Sequence, residues 1–246
     1  SGDSPAERHN NRQVGNGESL AIVGPSGCGK STILNSVAGL LKPSAGEVSI
    51  DGRAVSGVQE SVGYLFQQDA LLPWKTAYQN VELGLKFRGV SDAERKQKVT
   101  TWLAKVGLTG FEHRYPHQLS GGQRKRVQMA QALIVEPKVI LMDEPFSALD
   151  IHTRHLMQNE LLRLWQEDRR SVILITHDLE EAIALGDRVV VLSSGPASRV
   201  VRSFDVDLER PRNVAEIKLD ERFTDLYRDI WACLRGEVEK SYARQD

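Results

Sequence analysis

Along this chain, short unbroken apolar blocks alternate with stretches whose apolar residues recur every three or four positions. The blocks at Ser19–Val23 and at residues 62–66, 139–142, 172–175 and 189–192 have the length and composition of buried strands. Residues 47–50 alternate polar and apolar side chains, which predicts a short strand, and residues 199–201 predict a late one. Helical spacing joins Ile33, Leu34, Val37, Ala38 and Leu41, then Val99, Trp102, Leu103 and Val106, then Val127, Ala130 and Ile134. Met157, Leu161 and Leu164 mark a further helix, and Phe223, Leu226, Tyr227, Ile230 and Leu234 a strongly periodic closing one. Strands alternating with helices predict an α/β fold with a parallel sheet, interrupted by a mostly helical insertion. The expected organisation is a single domain over 1–246, with a core of 18–74 and 136–204, a helical subdomain of 75–135 and a helical tail of 205–246. Residues 1–17 are almost wholly polar and predict disorder or a remnant of expression.

The first strand runs into Gly24-Pro25-Ser26-Gly27-Cys28-Gly29-Lys30-Ser31, which fits the phosphate-loop pattern G-x-x-x-x-G-K-[ST]. A strand before and a helix after are the context that pattern requires. Glycines let the backbone curl so that several N–H groups face one anion, and the helix N-terminus adds positive potential. Lys30 is expected to reach the β- and γ-phosphates and the Ser31 hydroxyl to hold Mg²⁺. With Thr32, this segment is the candidate nucleotide-binding loop. A glycine-rich turn that binds nothing is the bland alternative, and the flanking strand and helix count against it. The motif predicts binding of a nucleoside triphosphate.

Charge and cysteine content narrow the classes. Lys plus Arg (32) nearly balance Asp plus Glu (33), and no long basic array suggests nucleic acid as a partner. The two cysteines, Cys28 in the loop and Cys233 near the end, form no disulfide framework, which suits a reducing cytosol. No apolar stretch approaches the ~20 residues that span a bilayer, so a membrane role would come through a partner.

A phosphate loop alone leaves kinases, GTPases and motors open. Farther on, Leu119-Ser120-Gly121-Gly122-Gln123 precedes an apolar strand that ends in Asp143-Glu144-Pro145, and Ser147-Ala148-Leu149-Asp150 follows. With Gln67 before this set and His177 after it, the order resembles the Q-loop, signature, Walker B, D-loop and switch histidine of ATP-binding-cassette (ABC) ATPases. The resemblance covers nearly all of the chain after residue 17. It implies a P-loop NTPase (RecA-like) core with a mainly parallel sheet, an antiparallel β part and a helical subdomain.

The resemblance also implies roles. Asp143, with Ser31 and Gln67, is expected in the Mg²⁺ shell, and Glu144 is expected to polarise the attacking water. His177 is expected to contact the γ-phosphate, and Gln67 to reach the metal or the water. Catalysis is thus assigned to Glu144, His177 and Gln67. Leu119, Ser120, Gly121, Gly122 and Gln123 are expected to face the ATP of a second subunit, with Asp150 at that interface, so that two chains sandwich two ATP molecules. Read without the family, Asp143-Glu144 is a solvated strand end, His177 caps a helix beginning at Asp178, and Ser120 is an ordinary helix cap. Arg124-Lys125-Arg126 predicts a solvated helix face.

After Gln67, Gln68-Asp69-Ala70-Leu71-Leu72-Pro73-Trp74 is apolar where a loop is usually polar. Leu71, Leu72 and Trp74 are either buried locally or an exposed partner patch. Residues 71–89, His113-Arg114-Tyr115-Pro116-His117 and Asp207-Leu208-Glu209-Arg210-Pro211-Arg212 resemble importers of the nitrate/sulfonate/taurine type. That likeness implies a peripheral subunit at the cytoplasmic face of the cell membrane. Its implied partners are a second ABC ATPase subunit (a homodimer), transmembrane permease subunits and, indirectly, a periplasmic or extracellular solute-binding protein. One departure concerns the start. The family pattern places an adenine-stacking aromatic about 25 residues before the lysine, where stacking is worth ~1–3 kcal/mol. Residues 1–18 hold no Phe, Tyr or Trp, His9 being the only ring. The usual opening strands are likewise missing or replaced, so a shortened or altered N-terminus with weakened ATP binding is expected. The competing functions are a soluble ABC ATPase not coupled to transport, a small-molecule kinase, and a nucleotide-binding module without turnover.

Overall fold

In the computed structural model, residues 13–68, 70–195 and 198–242 are described. The expectations for residues 1–12, including His9, lie outside them. Six strands form one sheet in the order β4-β5-β6-β1-β7-β8. They are β1 (Ser19–Val23), β4 (Val62–Leu65), β5 (Val139–Asp143), β6 (Ser171–Ile175), β7 (Arg188–Leu192) and β8 (Val200–Asp205). All neighbours are parallel except β8, which runs antiparallel to β7. A separate two-stranded hairpin joins β2 (Ser49–Ile50) to β3 (Arg53–Ala54). Its loop is Asp51-Gly52, both at positive φ (50° and 72°), the turn that an Asp-Gly pair favours because its twist matches the strands. The strand expected over 47–50 shrinks to its last two residues.

Alternate residues of each central strand face opposite sides, as the two-residue period requires. Leu20, Ile22, Leu141, Ile173, Ile175 and Val190 pack with Leu34 and Ala38 on one face. Ala21, Val23, Ile140, Met142, Leu174 and Val191 join the helices of the other face in the larger core. On the first face lies α1 (Lys30–Val37), shorter than the apolar spacing predicted. Gly39, at φ 73°, ends it, because a residue with a β-carbon there would meet the Gly57 carbonyl oxygen. Leu41 is left exposed rather than buried.

Between β4 and β5 come α2 (Ala77–Val81), α3 (Leu83–Phe87), α4 (Asp92–Lys105) and α5 (Gly121–Leu133). Val99, Leu103 and Val106 are fully buried, as their spacing predicts, with Trp102 packed at the margin. After β5 come α6 (Ile151–Glu167), then α7 (Leu179–Leu185) beyond β6, and finally α8 (Glu221–Tyr242). Phe223, Ile230 and Leu234 of α8 are buried, each worth roughly 1.5–3 kcal/mol of burial. Arg212 anchors the segment before α8. Its buried guanidinium donates to the carbonyl oxygens of Ile183, Ala184 and Gly186 at the end of α7 and of Val206 and Leu208. Burial, and then the charge of Arg210, lower its pKa to about 10, so it stays charged at neutral pH.

Candidate active site

Four adjacent strands deliver the site. In β4-β5-β6-β1, Leu65 lies beside Met142, Asp143 beside Ile175, and Ile175 beside Ile22. The carboxyl ends of these strands therefore open into Gln67, Asp143-Glu144, His177 and the loop 24–31 side by side. Ligand sites of α/β sheets form at such strand ends.

The loop at Gly24–Thr32 is curled by Gly27 (φ 75°) and Gly29 (φ 88°), conformations that favour glycine. Lys30 Nζ donates to the Gly24 and Pro25 carbonyl oxygens at 2.8 and 2.9 Å, which holds its charge over the curl. Behind the loop, the Ser198 hydroxyl donates to the Cys28 carbonyl at 2.6 Å. No sequence motif pointed to that support. The Ser31 hydroxyl hydrogen-bonds the Asp143 carboxylate. Burial raises the Asp143 pKa and the Glu144 charge adds to this, whereas Ser31 and Lys30 pull it down. Tyr64, in the same half-buried corner, is pushed up to about 12 by burial and by Asp143.

Glu144 is the meeting point. Gln67 Nε2 donates to its Oε2 at 2.9 Å, and His177 Nδ1 lies 3.2 Å from the same oxygen. The Glu144 backbone has φ 43°, unusual for a residue with a β-carbon. Its N–H donates to the Ile175 carbonyl at 2.8 Å, and its own carbonyl accepts from the Ser147 hydroxyl at 3.0 Å. Backbone held away from its preferred region is found where a side chain must be aimed. Asp143-Glu144 is therefore held by backbone and side-chain bonds rather than standing free in solvent. The helix cap after β6 is Asp178, which accepts from the Glu180 and Glu181 amides, and His177 stays exposed.

The segment 119–123 opens α5. Ser120 accepts from the Gln123 amide, and the Gln123 side chain accepts from the Ser120 amide, a reciprocal cap. A β-carbon on Gly122 would stand 2.9 Å from Thr153 Cγ2, so close packing on α6 requires that glycine. Gly121 is exposed and has room for a side chain, so internal packing does not explain it. Among the described residues, no hydrogen bond or ion pair joins residues 119–123 to the phosphate loop. Asp150 caps α6 through the Thr153 amide at 3.0 Å, and this bonding with Thr153 lowers its pKa.

The basic run 124–126 corrects the sequence reading, for it is not a solvated face. Lys125 is only 4% exposed, and its Nζ donates to the Phe66 carbonyl at 3.3 Å. Gln128 Nε2 donates to the Gln68 carbonyl at 3.4 Å. Together these grip the backbone on both sides of Gln67. Arg124 and Arg126 donate to the Leu119 and Val106 carbonyls. Leu71 is buried, while Trp74 is 69% exposed, so the apolar stretch after Gln67 divides between core and surface. A cavity of about 1000 Å³ lies at the opposite end of the sheet near Asn16, Lys138 and Ser171, and none of the predicted site residues lines it.

Among the described residues, no group of three or more His, Cys, Asp or Glu side chains stands ready to hold a metal ion. The hard oxygens of Ser31 and Asp143 nevertheless suit Mg²⁺, which takes one or two protein ligands and completes its shell with phosphate and water.

The profile of the ABC transporter family matches residues 8–147. The chain belongs to the ABC transporter family. As a member, this ABC ATPase is similar to the taurine import ATP-binding protein TauB of Yersinia pestis bv. Antiqua. The two are 46% identical over 80% of this chain and 78% of that one. It is 42% identical to the nitrate import ATP-binding protein NrtD of Synechocystis sp., over 98% of this chain and 93% of that protein. Among solved structures it resembles the ATP-binding cassette MJ0796 in a dimeric post-hydrolysis state bound to ADP and Pi. That match has a TM-score of 0.69 and 36% identity over 81% of this chain and 90% of that one. The P-loop NTPase fold expected from the sequence is thereby established, as is ATP as the nucleotide of this ATPase.

Proposed function

We propose that this ATPase is the energy-supplying subunit of an importer for a small anion such as nitrate, a sulfonate or taurine. The observation that carries the mechanism is the convergence of Gln67 and His177 on one oxygen of Glu144. A carboxylate held from two sides at a strand end beside the phosphate loop suits general-base activation of a water, worth ~10²–10⁴-fold in rate. Lys30 and the loop amides of 24–32 bind the phosphates. Ser31, Asp143 and the Gln67 amide oxygen are the residues that would hold Mg²⁺, which would supply neutralisation of phosphate charge. His177 keeps Glu144 and the water aligned.

The exposed, unexplained glycine at Gly121 supports a second role, in which residues 119–123 of one copy close over the ATP of another and Asp150 lines that interface. A dimer of MJ0796 bound to ADP and Pi is consistent with this arrangement. We assign the division into core, helical subdomain (75–135) and tail, and place the subunit at the cytoplasmic face of the membrane. There the exposed Trp74, three residues before the Ala77 amide that donates to the Arg114 carbonyl, would meet a permease. The names of TauB and NrtD support the choice of anion.

ATP hydrolysis by the purified chain, compared with Glu144→Gln and with dimer mass followed by light scattering, tests the mechanism. The variant is expected to bind ATP, lose turnover and accumulate as an ATP-held dimer. Turnover equal to the parent would remove Glu144 from the mechanism, and ATP binding without any dimer would remove the sandwich.

A further inference from the structure

A buried carboxylate stands directly behind the switch histidine, and neither the phosphate loop nor the signature uses it. Glu181 lies in the first turn of α7 and is 4% exposed. The Thr176 hydroxyl donates to its Oε2, and Gln158 Nε2 of α6 donates to its Oε1 at 3.2 Å. The same Thr176 oxygen accepts from the Asp178 amide at 3.0 Å. That last bond spans His177, turning the backbone so that its ring is aimed outward. At the other side of Thr176, its own amide donates to the Ile22 carbonyl of β1 at 3.3 Å. Thr176 thus ties the short turn bearing His177 to the sheet through its amide and to the Glu181 carboxylate through its hydroxyl, and the same hydroxyl closes the turn on the Asp178 amide.

We propose that Glu181 is a positioning residue for hydrolysis, holding His177 against Glu144 through the Thr176 hydroxyl and the Asp178 amide. This rests on the catalytic role given to His177 above. The hydrogen-bond directions say what Thr176 requires of residue 181. Thr176 uses a lone pair on Asp178, so its proton points to Glu181, and Gln158 also donates. In this arrangement both Glu181 oxygens accept, as an ionised carboxylate does; a protonated Glu181 keeps one acceptor for Thr176 and has its proton to give to Gln158 Oε1 once that amide turns. Burial pushes the Glu181 carboxyl up to about 7, with Asp178 adding to the rise; Thr176, Gln158 and Arg154 oppose it. The charged groups facing it are Asp178 and Arg154, with His155, Glu180 and Lys218 around the same cavity of about 40 Å³. The bond from Thr176 needs one accepting oxygen, so the frame that aims His177 holds in either protonation state. A glutamine at 181 keeps one acceptor for Thr176. Its amide donor can then meet Gln158 Oε1, which has no hydrogen-bond partner at present.

The test is steady-state ATP hydrolysis, with ATP affinity measured separately, for the full chain and for Glu181→Ala, Glu181→Gln, Thr176→Val, His177→Ala and the double variant Glu181→Ala/His177→Ala. Glu181→Ala and Thr176→Val are expected to lower kcat by roughly tenfold with ATP affinity unchanged, since a misaimed group costs rate rather than binding. Glu181→Gln, which keeps an acceptor for Thr176, should stay within about twofold of the parent and so rescue the loss seen in Glu181→Ala. The double variant should be no slower than His177→Ala, because two residues acting through one group are not additive. Full kcat in Glu181→Ala, or a further loss in the double variant, would overturn the inference while leaving His177 in place. If His177→Ala itself turned over normally, the role of His177 and this inference would both fall. Thr176→Val, close to isosteric, decides the matter if Glu181→Ala does not fold.

Discussion

Gln67 and Glu144, 77 positions apart in the chain, meet at 2.9 Å because the strands that precede them are neighbours in the sheet. That bond joins the end of β4 to the end of β5 and leaves the Gln67 side chain at the surface. Replacing Gln67 by Ala is expected to lower ATP turnover about tenfold or more by releasing one of the two groups that hold Glu144. The melting temperature should move little, since no core packing is lost. Parallel kinetic and calorimetric measurements on the variant check both halves of this expectation.

Lys125 predicts a coupled effect. It grips the Phe66 carbonyl from inside α5, so Lys125→Met leaves that carbonyl without its donor and frees the backbone before Gln67. A loss of about 1–3 kcal/mol in stability is expected, together with reduced turnover. Urea titration and ATPase rates should therefore change together here, in contrast to Gln67→Ala.

The two signature glycines should respond differently. Gly122→Ala drives a methyl to within 2.9 Å of Thr153 Cγ2 and is expected to destabilise the monomer by about 1–3 kcal/mol. Gly121→Ala makes only ordinary contacts, 3.8 Å from Leu149 Cδ2 and 3.9 Å from an Arg124 nitrogen, and should leave the monomer as stable as before. If residues 119–123 close over a second copy's ATP, Gly121→Ala should nonetheless weaken the ATP-held dimer of the Glu144→Gln background. Sedimentation of that double variant, with and without ATP, gives the answer.

Stability should depend on pH through Glu181. Its carboxyl is raised from 4.5 to about 7 in the folded protein, so the folded state binds the proton more tightly than the unfolded chain. The stabilisation is complete below about pH 4.5 and is lost as pH rises through about 7. Glu181→Gln cannot ionise and should gain stability relative to the parent across that window, by on the order of 2–3 kcal/mol at pH 8. Denaturant midpoints at pH 5 and pH 8 for both proteins measure the difference. A constant gap would show that Glu181 does not titrate there.

Arg212 holds the entry to the tail by donating to carbonyls at the end of α7 and in the strand-to-tail turn. Arg212→Met keeps much of the apolar stem but strands those oxygens, so a loss of about 3 kcal/mol or more is expected. Chemical denaturation of the full chain provides the check.

Local pattern carried a great deal. The apolar block 19–23 and the glycines at 27 and 29 specify strand and loop through short-range sterics alone, and β1 has the boundaries its composition predicts. The order of motifs from Gly24 to His177 was enough to indicate the family, since each motif is contiguous. Helix ends were less legible. Leu41 continues the apolar period of α1, yet Gly39 stops the helix because the Gly57 backbone crosses it, a contact invisible in a window of neighbouring residues.

What the sequence determined by itself was the parallel α/β plan, the phosphate loop and the identity of the residues gathered around it. These depend on side-chain period and backbone freedom, both local properties. Only the tertiary structure decided how Glu144 is held, that Lys125 is buried against the loop of Gln67, and that Glu181 lies behind His177. A lysine in a basic run and a glutamate in an acidic first helical turn read as solvated until strand order brings other elements over them. Burial and long-range pairing then set their chemistry.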